Sequence, residues 1–226
     1  MSIVNISLIL VSVLDLGLAL LIWLRNPKNK INISFALTIL FLATWTFSIS
    51  MFRESTTVLD AWIWTWVEQS SGVLIPIPFL LFATYFPYQD VRWSTVKKML
   101  ILISTILVLF VVYIPGVWTE EVILIKSNNE RPLNRLGMGY VGIHFITFFT
   151  LAYINLIKKF LNNKGFIRDQ LKYIAFSTLV TVIVGSFFGV IMPLFLGRLG
   201  YYWIGAYSSI VMGVAIVYFA FYYKKI

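Results

Sequence analysis

Seven apolar runs, most of them 20 residues or longer, occupy most of this 226-residue chain. A helix of 20 residues is about 30 Å long, which is the thickness of the hydrocarbon core of a bilayer. Every backbone amide inside lipid must be satisfied within its own segment, so each run is predicted to be a helix. The pattern indicates an all-α integral membrane protein, a bundle of seven transmembrane helices. The predicted spans are 3–24, 31–52, 61–86, 96–114, 140–160, 171–196 and 201–223.

The composition agrees with this placement. Hydrophobic residues make up 60% of the chain and charged residues only 12%, about half the charged fraction of a soluble domain. We therefore expect a single domain, 1–226, without a soluble catalytic domain. The net charge of +9 lies mostly at helix ends, where basic residues orient a protein against anionic lipid, so no nucleic-acid binding is expected.

The basic residues alternate between connections and predict the orientation. Thirteen of the 18 Lys and Arg residues follow the first, third and fifth spans or lie in the C-terminal tail, and five lie on the other side. The side richer in Lys and Arg is the cytoplasmic one. The N-terminus is therefore predicted to be outside and the C-terminus cytoplasmic.

The connection between the fourth and fifth spans is the longest one. It begins at Pro115-Gly116 and holds β-prone residues at 122–126, turn-prone residues at 127–129 and a returning segment at 131–136. This order predicts a short β-hairpin-like cap on the outer face.

Small residues recur every four positions on the last two spans, a spacing that lets helix backbones approach closely in lipid. We expect these two spans to pack together, with a homodimer interface as the alternative use of the same residues. The residues are Ser177, Thr181, Gly185 and Gly189 on the sixth span and Gly205, Ser209 and Gly213 on the seventh.

Two prolines, Pro76 and Pro78, lie near the middle of the third span. Each removes an amide donor, so a kink or local unwinding is predicted there. The interruption is either a plain distortion or a hinge between the two halves of the helix.

Three ionisable side chains lie away from the ends of the predicted spans, namely Asp15, Glu68 and His144. Such residues usually face the bundle interior. Glu68 and His144 lie at similar depth in the outer third. They are expected either to line one outward-facing pocket for a small amphipathic ligand, cation or proton, or to satisfy each other or nearby hydroxyls. Asp15 is expected to be a protonated, hydrogen-bonded acid near mid-membrane. The other predicted lining residues of the pocket are Trp45, Trp64, Gln69 and Tyr140.

No cofactor is expected. A retinal Schiff base needs a Lys within a span, and Lys224 and Lys225 lie beyond the seventh. One His and no Cys do not make an ordinary zinc site or a haem site with ligands on both faces.

Several short motifs resemble those of a known family. The residues are Asn26-Pro27-Lys28-Asn29-Lys30, Trp45, Phe82-Ala83-Thr84-Tyr85-Phe86-Pro87, Asp169-Gln170-Leu171-Lys172-Tyr173 and Pro193-Leu194. Together they resemble the N-terminal seven-helix sensor region of bacterial membrane histidine kinases. The resemblance implies a signal-input module of a two-component system in the bacterial cytoplasmic membrane, with an unknown small ligand and a seventh helix that leads to cytoplasmic signalling domains.

The sequence departs from that family plan after the last span, because no phosphoacceptor or ATP-binding domain follows. We expect no enzymatic activity of this chain alone. It is then either a piece of a kinase that lacks its transmitter domain or a stand-alone module that acts through a cytoplasmic signalling protein. The alternative functions are a small seven-helix solute transporter and a structural subunit of a membrane complex.

Overall fold

A computed structural model of the protein describes residues 1–88, 93–126, 128–196 and 201–214. These residues are mainly helical. In chain order the helices are α1 Ile3–Arg25, α2 Lys30–Glu54, α3 Val58–Leu74, α4 Pro76–Tyr85, α5 Thr95–Tyr113, α6 Arg135–Asn162, α7 Gly165–Ser186, a π-helical turn Phe187–Ile191, α8 Met192–Leu196 and a 3-10 helix Tyr202–Ser208.

Six helical segments within the described ranges are long and apolar enough to cross a membrane. They correspond to the first six predicted spans, with α3 and α4 forming one segment and α7, the π turn and most of α8 another. Residues 215–223 of the predicted seventh span lie outside the described residues, so a seventh crossing stays a prediction.

Side-chain caps determine where most helices begin. A Ser, Thr or Asn side chain accepts hydrogen bonds from the first-turn amides that have no partner within the helix. Asn134 caps α6 in this way, so that helix begins at Arg135 rather than at the predicted residue 140. The other capping residues are Ser2, Asn29, Thr57 and Ser94.

The third predicted span is interrupted at Ile75, between α3 and α4. Pro76 occupies the first turn of α4, where its missing amide costs no helical hydrogen bond. The interruption therefore falls where Pro76 and Pro78 predict a kink or local unwinding. A hinge at this point stays a prediction.

The last two predicted spans depart from regular α-helix where they meet. The sequence predicts an α-helix from residue 201, whereas Tyr202–Ser208 is a 3-10 helix. Three residues per turn align Tyr202, Gly205 and Ser208 on one buried face. A Cβ at Gly205 would lie 3.2 Å from the Gly185 Cα, so a side chain there would force the two segments apart by a few tenths of an ångström.

Reciprocal hydrogen bonds join the same two segments. The Thr181 hydroxyl donates to the Ser208 carbonyl oxygen at 2.9 Å. The Ser208 hydroxyl donates to the Thr181 carbonyl oxygen at 3.2 Å. The small residues do not form one continuous seam, because Gly189 faces Trp45 and Gly213 faces Leu18.

The core lies between α2, α4, α6 and α7. Its largest members include Phe35 and Phe82, whose rings stack with centroids 4.4 Å apart, and Phe79. α5 stands apart from this core, because only Val108 and Val112 of its 19 residues are buried. In a bilayer its many exposed apolar side chains face lipid.

The long connection folds over one end of the bundle. Its two arms run antiparallel and meet at isolated bridges between Thr119 and Leu133 and between Ile123 and Glu130. The predicted hairpin turn includes Ser127, which lies outside the described residues.

We predict that Gly137→Ala lowers the thermal unfolding temperature. A Cβ at this position would lie 1.8 Å from the Val117 carbonyl oxygen, so α6 must move away from the loop. Overpacking of this kind costs about 1–3 kcal/mol, which corresponds to roughly 5 °C. Gly139→Ala, in the same helix, is the control because its Cβ meets nothing within 4 Å. Equal unfolding temperatures for the two variants in detergent would contradict the close contact.

Candidate functional site: a buried ion pair above a central cavity

A buried ion pair joins the long connection to α3. Arg131 Nη2 donates to Glu68 Oε1, and the two side chains are only 3% and 4% exposed. Arg131 Nη1 also donates to the Thr65 hydroxyl at 3.3 Å. Thr65 and Glu68 are three residues apart on α3 and therefore share the face below the loop.

Further hydrogen bonds hold the loop around this pair. The Asn129 side-chain amide donates to the carbonyl oxygens of Phe52 and Ser55, both at 2.8 Å, at the end of α2. The Gln69 amide donates to the buried Thr119 hydroxyl at 2.6 Å. The loop is thus attached to α2 and α3 by buried polar contacts that water does not weaken.

Aromatic rings surround the guanidinium. Arg131 lies 4.8 Å from the ring centre of Phe52 and 5.4 Å from that of Tyr202. Burial alone would lower the pKa of Arg131, but the adjacent Glu68 carboxylate outweighs it and raises the pKa above its usual value. Arg131 therefore stays charged, held by one carboxylate and two ring faces.

Several polar atoms around the pair are buried without a hydrogen-bond partner. Leaving such an atom unsatisfied costs about 1–3 kcal/mol, so five in one place indicate a site built to receive polar groups from water or a ligand. The atoms are Glu68 Oε2, Gln69 Oε1, Arg131 Nε, Trp118 Nε1 and Tyr202 OH.

The residues that carry these atoms all line a cavity of about 110 Å³ within the bundle, which we call the central cavity. A single water needs about 10–15 Å³ of such volume, so the cavity has room for several waters or a small organic molecule. Its apolar part is formed by rings such as Trp45, Phe79 and Phe149. α2, α3, α4, α6, α7, the π turn and the 3-10 helix all contribute to its lining.

The chemistry of this lining favours binding over catalysis. The Glu68 and Arg131 charges cancel, and the free atoms around them are both donors and acceptors, so a neutral polar group attached to an apolar body fits the cavity best. Within the described residues, no three His, Asp or Glu side chains converge in a way that could hold a metal ion.

The structure distributes the predicted pocket residues over three places. Trp45, Glu68 and Gln69 line the central cavity. Trp64 packs in a separate cluster beside the long connection, against the Phe47 ring at 5.6 Å. Tyr140 and His144 line a different groove, which runs between α5 and α6.

His144 has its own partners in that second location. Its Nδ1 and the Ser104 hydroxyl are 3.1 Å apart, and its Nε2 lies 3.2 Å from the Val73 carbonyl oxygen. The sequence predicts one pocket for Glu68 and His144. In the structure Glu68 forms an ion pair with Arg131 instead. The third ionisable residue, Asp15, is buried against the Ser209 side chain.

Arg131, Thr65 and Tyr202 are site residues that the sequence reasoning missed. In the sequence analysis Arg131 served only as one of the five basic residues on the predicted outer side. The available signal was an acid inside a span with no Lys or Arg in the core of any span, because a buried carboxylate needs a counter-charge. A two-dozen-residue loop above it is long enough to supply one.

The fold and the site together define a multi-pass helical membrane protein with an internal cavity. The family model described as the N-terminal 7TM region of histidine kinase matches residues 7–226. The chain belongs to this family and is a membrane-embedded sensor region of the histidine-kinase type. No curated protein and no solved structure matches it.

We predict strong coupling between Glu68 and Arg131. Arg131→Met or Glu68→Leu alone leaves one buried charge without a partner and costs about 3–5 kcal/mol. The double variant removes both charges and recovers most of that loss. Unfolding free energies in detergent give the coupling, and Arg135→Met, at an exposed position, is the control. A double variant as unstable as the sum of the singles would contradict the pairing.

Proposed function

We propose that this chain senses a small amphipathic molecule in the central cavity and passes a change in helix packing to a cytoplasmic transmitter. The observation that carries the proposal is the cavity itself, with unpartnered polar atoms at one end and aromatic walls at the other. The family supports an input role, and the position of the cavity supports a route for the output.

In this proposal the signal passes through residues 201–214, the last segment that the structure describes. Tyr202, Gly205, Ser208 and Met212 all line the central cavity, and this segment leads in sequence to the C-terminus. A ligand that contacts Tyr202 and Ser208 changes the packing of the segment against α7. It shifts the equilibrium only to the extent that it binds one arrangement more tightly than the other.

The interrupted third span supports movement at the same place. Glu68 and Gln69 on α3 meet the polar part of a ligand, while Phe79 on α4 meets its apolar part. The helix break at Ile75 separates the two contacts. The proposal therefore includes a hinge at Pro76 and Pro78, across which α3 and α4 tilt as the cavity fills.

The proposed topology has seven spans, with the N-terminus outside and the C-terminus in the cytoplasm of a bacterial cell. The alternating basic connections support it, and it places the hairpin-like loop and Arg131 on the outer side. Ligand then enters from outside or from the outer leaflet, and the signal leaves on the opposite face.

Filling the cavity tests the sensing site. Gly189 lines it, and a Cβ there is 3.9 Å from the nearest Trp45 atom, so Gly189→Leu projects a side chain into free space. We expect a small molecule to co-purify with the wild-type protein and to be at least tenfold depleted in this variant, as measured by mass spectrometry.

Gly17→Leu is the matched control, because Gly17 is outside the cavity lining and its Cβ meets nothing within 4 Å. It is expected to retain the molecule at the wild-type level. Retention of the same molecule by Gly189→Leu, or no bound molecule in the wild type, would refute the cavity as the sensing site.

Single-cysteine labelling tests the topology, since the chain has no Cys of its own. Lys28 and Lys126 are both exposed and lie on opposite predicted sides. A membrane-impermeant maleimide is expected to label Lys126→Cys in intact cells and Lys28→Cys only after permeabilisation. Labelling of both variants in intact cells, or the reverse order, would contradict the orientation.

A further inference from the structure

A second apolar depression lies on the outside of the bundle, between α4, α5 and α6. This α5–α6 groove has a volume of about 660 Å³ and is lined mostly by aliphatic and aromatic side chains. It exists because α5 buries only Val108 and Val112, so the rest of that helix stands away from its neighbours. Representative lining residues are Leu80, Leu100, Ile101, Ile143, Leu151 and Ile154.

One end of the groove is strongly basic. Lys97, in the first turn of α5, and Lys158, near the end of α6, both line it and are exposed. None of its described lining residues is acidic. The Trp93 indole nitrogen, at the same end of α5, is buried and has no hydrogen-bond partner.

The first turn of α5 has no charge compensation of its own. Lys97 and Lys98 lie at the helix N-terminus, where the helix dipole disfavours positive charge, and the turn holds no acidic residue. An anion beside Lys97 offsets both the dipole and the charge of that lysine. The indole N–H adds a neutral donor to the same anion.

The dimensions of the groove fit a lipid chain. Its lining on α6 extends from Tyr140 to Lys158, about 27 Å at 1.5 Å per residue. One leaflet of the hydrocarbon core is about 15 Å thick, so an acyl chain that starts at the lysines is accommodated along its whole length. The His144–Ser104 contact lies farther along the same wall.

We propose that the α5–α6 groove binds one anionic phospholipid. Its phosphate lies between Lys97 and Lys158 and accepts a hydrogen bond from Trp93, and its acyl chains cover the aliphatic walls. The lipid thereby fastens α5 to α4 and α6. This site is separate from the central cavity and does not depend on what that cavity senses.

Lipid retention tests the proposal. The full chain is purified and equilibrated with equimolar phosphatidylglycerol and phosphatidylcholine, and bound lipid is counted by native mass spectrometry. The wild type is expected to retain one phosphatidylglycerol in preference to phosphatidylcholine. The variant Lys97→Gln with Lys158→Gln is expected to retain at least fivefold less phosphatidylglycerol.

The control removes the same charge nearby. Lys98→Gln with Lys172→Gln changes two exposed lysines that do not line the groove. It is expected to bind lipid like the wild type. Equal losses in the two double variants would show general electrostatic attraction to the membrane surface and overturn the site, as would equal retention of the two lipids by the wild type.

Thermal unfolding provides a second measurement that does not depend on retained lipid. All three proteins are expected to unfold at the same temperature in phosphatidylcholine nanodiscs, which shows that the substitutions leave the fold intact. Adding phosphatidylglycerol is expected to raise that temperature for the wild type and the control only. A similar rise for Lys97→Gln with Lys158→Gln would refute the proposal, and Trp93→Phe is expected to reduce the rise.

Discussion

Two opposite charges buried in an apolar bundle constrain this protein more than any other contact. The Glu68 carboxylate and the Arg131 guanidinium are almost fully removed from water, and either one alone is costly in that environment. Because Arg131 belongs to the long connection and Glu68 to α3, satisfying the charges requires the loop to lie on the bundle. Thr119, Asn129 and Gly137 then complete the same contact surface.

The central cavity is a consequence of this arrangement together with two departures from α-helical geometry. The π turn and the 3-10 helix both line the cavity, and the close approach of Gly205 to Gly185 brings them together. The loop provides polar atoms at one end, and packed aromatic rings provide the walls. An apolar body with a neutral polar group therefore meets complementary surfaces in a protein whose family is a sensor region.

α5 shows the opposite behaviour. It has few contacts with the rest of the bundle and leaves a groove that opens toward lipid. Buried polar contacts stabilise the loop against α2 and α3. The packing of α5, in contrast, is completed by a lipid in our proposal. Under the two proposals, the protein responds to a molecule at its centre and depends on its lipid surroundings at the periphery.

Local patterns in the sequence predict much of this fold. Apolar length predicts the six described spans, and Pro76 and Pro78 predict the break in the third. The Glu68–Arg131 pair joins residues 63 positions apart, so no local pattern contains it. The 3-10 helix at Tyr202–Ser208 likewise follows from tertiary packing against α7, and His144 faces Ser104 because of how α5 and α6 are arranged. Counting residues along the spans predicts that Glu68 and His144 lie at similar depth, but it does not predict which neighbouring helix each side chain faces.

Hydrogen exchange of the loop amides tests the central claim most directly. Because the ion pair holds residues 115–126 and 128–134 against the bundle, these amides in the wild-type protein should exchange as slowly as those at the ends of α2 and α3. In Glu68→Gln, which keeps the shape but removes the charge, the loop should exchange at least tenfold faster while α1 and α5 remain unchanged. Identical exchange of the loop in the two proteins would contradict the account.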